Sequence, residues 1–345
     1  MLSHSPTEKD YFSSIPIQIF SDWFSGGELL FSQRENVVLD KSNIKKFAQR
    51  VPQKYPQELK GLNYCIISGK TNLEKKFEKQ EHFVPEALGF EWTKVPKGLG
   101  TCDDTNEFFG KHETEWSRYG IMGFLRPFYV KRSKKGSPEY HAPKKSQAIL
   151  SVLNDKHGNL KMIYRRKLGL PDTEGPGHLD AIGDLSRESR SESVSLSLHK
   201  MAFLTLWLIS PDLTLDQNFE KLRIFLNNPN EQTYMPFLEE FIPGAIPGVR
   251  FAFYVKMLES ELDRDGDKRI FDLGNVNVAV KAHHMLYRFA LIGDMDLQTI
   301  RRDTILRTWN DEEAVQKSRP FPVFKFGRMA RRSLTEDDEE FLGQI

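Results

Sequence analysis

Three aspartates stand at alternate positions in "LDRDGDKRIFDLG", the stretch from Leu262 to Gly274. Asp263, Asp265 and Asp267 would each turn carboxylate oxygens toward a hard cation, and calcium needs a shell of roughly six to eight such oxygens. Gly266 suits the tight turn such a loop needs. Lys268 and Arg269 work against a cation, because they bring positive charge to the same place.

Counted from Asp263, the stretch resembles the opening of an EF-hand calcium loop, with Ile270 at the apolar eighth position. Two requirements of that loop are missing. Its sixth position should be Gly and is Lys268, and its twelfth should be a bidentate Glu and is Gly274. The stretch therefore reads as an acidic connector between two helices, at 249–262 and 275–292. Asp263, Asp265 and Asp267 remain candidate ligands of a weak calcium site.

"GHLD" places His178 and Asp180 at the spacing of two ligands of the two-histidine, one-carboxylate iron site. This resembles the motif of non-haem iron oxygenases, which implies a third ligand from His199, His283 or His284 and a co-substrate carboxylate held by Arg288. Those enzymes use a double-stranded β-helix, whereas the segment after His178 reads as helical. "CDDTNE" carries Asp103, Asp104 and Glu107, and is similar to the magnesium motif of class I terpene cyclases. No second metal motif accompanies it, since "NDEEAVQK" has Ala314 where a Ser belongs. A solvated acidic turn explains it more simply.

Other chemistries are excluded by what the motifs lack. "SGKT" has Tyr64 where a P-loop needs its first glycine, so the phosphate wrap cannot form. There is no G-x-S-x-G elbow, no C-x-x-C and no H-E-x-x-H. No motif implies a cofactor. Without a complete catalytic set, the expectation leans away from an enzyme.

Charge is where the sequence is most uneven. The 345-residue chain has a net charge of only +1. Yet the span from Lys131 to Lys167 holds eleven Lys/Arg against two acids, Glu139 and Asp155, a local charge of +9. Upstream, Arg118, Arg126 and Arg132 interleave with Tyr119, Phe124, Phe128 and Tyr129. A second basic-aromatic run, "KSRPFPVFKFGRMARR", contains six Lys/Arg and no acid, and "EDDEE" follows it. Cations attract phosphates, and aromatic faces stack on unpaired bases. The candidate contacts are Arg126, Lys131, Arg132, Lys134, Lys135, Lys144, Lys145, Lys161, Arg165, Arg166, Lys167, Arg328, Arg331 and Arg332.

The elements that must position these residues divide the chain as follows. Residues 1–60 form an aromatic-rich N-terminal segment, and 61–170 a mixed α/β region with a hairpin at 148–168 around "NDKHGN". Residues 171–192, rich in Gly, Pro and Ser, read as a linker. Residues 193–310 read as a helical domain, with apolar spacing in "TLDQNFEKLRIFL", "VRFAFYVKMLESEL", "NVNVAVKAHHMLYRFAL" and "DLQTIRRDTILRTW". Residues 311–345 form a charged tail. The fold class expected is α+β, a mixed N-terminal half with a β-hairpin and an α-helical C-terminal half.

Two cysteines, Cys65 and Cys102, lie too far apart in sequence to suggest a disulfide framework, so a reducing compartment is expected. The longest apolar run, Met201 to Ile209, is too short to span a membrane and reads as a core helix. No secretory signal is apparent, so the expected location is cytoplasmic or nuclear, and not secreted. The Phe-rich, Lys-rich, Ala-poor composition is of a kind associated with viruses and AT-rich genomes.

Three functions are weighed. The first is a non-enzymatic structural or assembly protein that binds nucleic acid, single-stranded RNA above all, and self-associates. The second is an iron-dependent oxygenase using His178 and Asp180. The third is a protein–protein adaptor built on the helical half, with "SRESRSESVS" as a contact or phosphorylation segment.

Overall fold

The computed structural model describes residues 14–17, 37–40, 44–88, 93–129, 139–141, 148–154, 160–166, 189–241, 251–262, 269–282, 285–295 and 304–309. In chain order, β1 (Ser14–Ile17) pairs antiparallel with β2 (Val37–Asp40), and α1 (Ile44–Arg50) follows. After a long irregular stretch come α2 (Asp103–Arg118) and α3 (Gly120–Tyr129). A small sheet of β3 (Glu139–His141), β4 (Ala148–Asn154) and β5 (Leu160–Arg166) is next. Then come α4 (Ser191–Ile209), α5 (Pro211–Thr214) and α6 (Glu220–Asn227). The last described elements are strands: β6 (Phe237–Phe241), β7 (Phe251–Leu262), β8 (Arg269–Ala282), β9 (Met285–Ile292) and β10 (Ile305–Arg307).

The expectation of an α-helical C-terminal half is therefore overturned. β6 to β10 form one antiparallel sheet of five strands in the order β10-β6-β9-β8-β7. The apolar spacing that suggested helices explains the error. Residues four apart share a face on a helix, but they also share a face on a strand, whose period is two. Val276 and Val280 fit both readings; Val278 between them fits only the strand. Valines at alternate positions, stiff at χ1, favour the pleated backbone. In "DLQTIRRDTILRTW" the helical spacing fails as well, since Ile305–Arg307 is an edge strand paired with Phe237–Glu239.

Among the described residues, α4 is enclosed by the elements around it. Seventeen of its 19 residues are buried. A helix enclosed on all sides must be covered by several elements, and here α1, α2, α5, α6, β8 and β9 all pack against it. The apolar run at Met201–Ile209 falls inside this helix. The expected helix after Thr214 is also present as α6, preceded by a tight turn at Gln217–Phe219. The cap of that turn is Asp216, whose carboxylate accepts the Asn218 N–H at 2.8 Å.

α2 buries Phe109 and Trp116, two turns apart on one face. Asp103 and Asp104 in its first turn suit the positive end of the helix dipole. Trp116 Nε1–H donates to the Tyr287 hydroxyl at 3.2 Å, with the rings edge-to-face at 5.6 Å. One buried cluster runs from Ala48 and Val51 through Cys65–Ile67, α2, α4 and α6 to Leu291. Ala148–Asn154 and Leu160–Arg166 pair antiparallel where the sequence places a hairpin. Among the described residues, no helix is long and apolar enough to cross a membrane.

Candidate functional site

The expected phosphate contacts divide into three groups. Lys161, Arg165 and Arg166 lie on β5, an edge strand of the small sheet, opposite Leu153, Ile149 and Ala148. In the same sheet Leu150 pairs with Tyr164 on one side and Tyr140 on the other, so two tyrosines stand in one cross-strand row. Arg126 is engaged internally: its Nε–H donates to the Ala87 carbonyl at 3.0 Å, and burial lowers its pKa. Lys131, Arg132, Lys134, Lys135, Lys144, Lys145, Lys167, Arg328, Arg331 and Arg332 lie outside the described residues.

The metal candidates fare differently. Asp263, Asp265 and Asp267 lie outside the described residues, but Leu262 pairs with Arg269 across their turn. The connector joins two strands, so the helix–loop–helix frame expected around it is absent. His178 and Asp180 also lie outside, as do His283 and His284. His199, the third ligand candidate that is described, is fully buried. Its ring packs on Phe225 and Phe289, and its Nδ1 is 2.7 Å from the Ser195 carbonyl. Burial pushes its pKa down to about 4, which keeps the ring neutral in the core. In "CDDTNE", Asp103 accepts the N–H groups of Glu78 and Lys79, both at 2.8 Å. Asp104 pairs with Lys75 and Glu107 with Lys79. Among the described residues, no three His, Cys, Asp or Glu side chains are placed to share a metal ion.

The structure brings together charged groups that are remote in sequence. Lys200 sits on α4 and is 1% exposed. Its Nζ lies 2.8 Å from Glu81 Oε1 and 2.6 Å from Glu113 Oε1. Burial would push the ammonium down, but the Glu113 and Glu81 carboxylates outweigh it and hold the pKa above the ordinary lysine value. Burial pushes Glu113 up against the opposing pull of Lys200. Glu81 also accepts the His82 N–H at 2.7 Å and the Thr101 hydroxyl. This ion triad ties the irregular segment before α2 to both long helices. It is saturated by internal partners, which makes it structural rather than reactive.

A second buried cation, Arg307, closes the start of α4. Its Nη1 lies 2.9 Å from Glu239 Oε2. Nε and Nη2 both reach Ser191 Oγ, at 3.0 and 2.8 Å, and Nη2 also donates to the Ser189 carbonyl. The planar guanidinium thus pins the edge strand β10 to β6 and to the start of α4.

The described serines of "SRESRSESVSLSL", Ser189 to Ser197, are buried, and most of them bond to neighbouring elements. Ser189 Oγ donates to carbonyls at the end of α2, Glu115, Trp116 and Tyr119. Ser193 Oγ meets His112 Nδ1 at 3.0 Å, and Ser195 Oγ donates to the Met235 carbonyl at 2.5 Å. Ser193, Ser195 and Ser197 are 0% exposed. A phosphate cannot be added there without opening the core, so this part of the segment does not fit the phosphorylation role. The Ser193–His112 pair does not make a nucleophile either. Burial, with Arg190 and Lys111 nearby, pushes His112 down to about 4, so it is a poor proton acceptor.

Cys65 and Cys102 are both buried free thiols, and the fold makes them neighbours. Cys65 and Gly100 form a short parallel bridge, and Cys102 caps the start of α2. Thr105 Oγ1 lies 3.6 Å from the Cys65 sulfur and 3.1 Å from the Cys102 sulfur.

Sequence signals for these features were partly present. A lysine and a histidine inside "LSLHKMAFLTLWLI" mark buried polar groups that need partners. Nothing local identifies Glu81 or Glu113 as the partners of the lysine. No family model, curated protein or solved structure matches the chain, so its residues alone carry the functional reading.

Proposed function

We propose that this chain is a non-enzymatic nucleic-acid-binding structural protein, with single-stranded RNA as its favoured ligand and self-association as part of its role. The observation that carries the reading is the charge of +9 between Lys131 and Lys167 in a chain whose net charge is +1. Its support in the fold is the small sheet. Lys161, Arg165 and Arg166 share one edge strand with Tyr164, and Arg166 falls on the same face as the Tyr140–Leu150–Tyr164 row, with Lys161 and Arg165 on the other. Basic residues next to aromatics on a sheet suit a ligand with a charged backbone and unstacked bases.

Lys200, Glu81, Glu113, Arg307 and Glu239 are occupied in holding the fold together. The test is filter binding of a labelled single-stranded RNA across a salt series. The expected result is binding at low salt that weakens steeply as salt rises, with light scattering reporting assembly. Absence of binding to any single strand at low salt would end the proposal.

A further inference from the structure

We infer that Cys65 and Cys102 form a redox pair, which a small peroxide oxidises to an intramolecular disulfide tying the turn after Tyr64 to the start of α2. The geometry is a cluster of four nucleophilic or hydroxyl groups. Both sulfurs reach Thr105 Oγ1. Ser68 Oγ lies 3.9 Å from the Cys102 sulfur, and the Ser68 N–H donates to the Cys65 sulfur at 3.4 Å. The backbone holds this arrangement: Ile66 N–H donates to the Gly100 carbonyl at 3.0 Å, and Cys65 N–H to Lys70 O at 2.8 Å.

The two thiols are inequivalent, as an attacking and resolving pair must be. The hydrogen bond from Cys65, with help from Thr105, pulls Cys102 down to about 5. The amide groups at the start of a sixteen-residue helix favour the same thiolate. The bond to Cys102 and burial push Cys65 up, so it keeps its proton. The Cys102 thiolate attacks one peroxide oxygen and the O–O bond breaks. Cys102 becomes a sulfenic acid, and the departing oxygen leaves as an alcohol or water after taking a proton. The Cys65 sulfur then attacks the sulfenic sulfur. Its proton goes to the leaving hydroxide, and water departs as the S–S bond forms. In total the two thiols lose two electrons and two protons, and the peroxide accepts both.

Burial sets which oxidants work. Cys65 is 0% and Cys102 1% exposed, while Ser68 and Thr105 beside them are only partly buried. Hydrogen peroxide is therefore expected to oxidise the pair past Ser68 and Thr105, and a bulky aromatic disulfide is expected to leave it reduced. The experiment treats the full chain with hydrogen peroxide, alkylates it in denaturant, and maps its peptides by mass. The expected product has lost two hydrogen atoms, links the Cys65 and Cys102 peptides, and reverts with a dithiol reductant. Two alkylated cysteines, a sulfinic or sulfonic Cys102, or a disulfide between chains would each overturn the inference. In Cys65→Ser, a dione probe added together with denaturant after the peroxide should capture the Cys102 sulfenic acid, which the native chain has already converted to disulfide. Equal labelling of variant and native chain would overturn it as well.

Discussion

Lys200 Nζ lies 2.8 Å from Glu81 Oε1, an ion pair made across 119 positions with both side chains almost wholly out of solvent. With Glu113 it forms a triad of one cation and two carboxylates. Removing the cation leaves two buried acids without a counter-charge, which in other buried pairs costs about 3–5 kcal/mol. Lys200→Met is expected to be destabilised by that much in urea denaturation. Adding Glu81→Gln and Glu113→Gln to Lys200→Met should recover a large part of it. A Lys200→Met variant as stable as the parent would mean that the pair contributes nothing.

Acid should unfold the protein through its buried histidines. His199 has a folded pKa of about 4 against an ordinary 6.5, so the folded state resists protonation. A depressed pKa gives stability that is present above the ordinary value and lost as pH falls toward the folded value. From pH 7 to pH 5 this is about 2 kcal/mol for His199. His112 acts in the same direction. Denaturation midpoints measured at both pH values check this, and the slope should flatten in His199→Leu.

The buried serines predict intolerance to charge. Ser193→Asp places a carboxylate in a fully buried position beside a neutral imidazole. It should prevent folding or lower the melting temperature by several degrees or more, given the several kcal/mol that burying an unpaired charge costs. Ser195→Ala should cost only about 1–3 kcal/mol, from the Met235 carbonyl it leaves unsatisfied. Circular dichroism melts distinguish the two. Wild-type stability in Ser193→Asp would contradict the burial described.

If the basic edge strand touches RNA, its charges should appear in the salt dependence. Replacing Lys161, Arg165 and Arg166 with Gln should reduce the slope of log affinity against log salt by about 0.7 for each phosphate that is no longer neutralised. The melting temperature should change little. Arg126→Gln should differ: its guanidinium holds the Ala87 carbonyl, so stability falls while the salt slope stays nearly the same. Equal slopes for the triple variant and the parent would separate β5 from any binding surface.

The burial of Met201–Leu208 was legible because a run of large apolar side chains has no stable place except a core. The hairpin around residues 155–159 was legible because its turn residues act locally. The C-terminal strands were not, because the spacing of Phe251 and Val255, or of Val276 and Val280, serves a helix and a strand alike. The deciding partners are distant in sequence, as when β9 inserts between β6 and β8.

The same division runs through the polar groups. Residue type and order determined by themselves which side chains would be expensive to bury, such as Lys200, His199 and Arg307, and where positive charge accumulates along the chain. Only the tertiary structure decided which acids answer those cations, that Ser189, Ser191, Ser193 and Ser195 tie the start of α4 to its neighbours instead of facing solvent, and that Cys65 and Cys102 share one threonine hydroxyl. The physical reason is range. Propensity and charge act between near neighbours in the chain, whereas ion pairing, hydrogen bonding and thiol contact need atoms within a few ångströms, and chain folding alone sets which residues come that close.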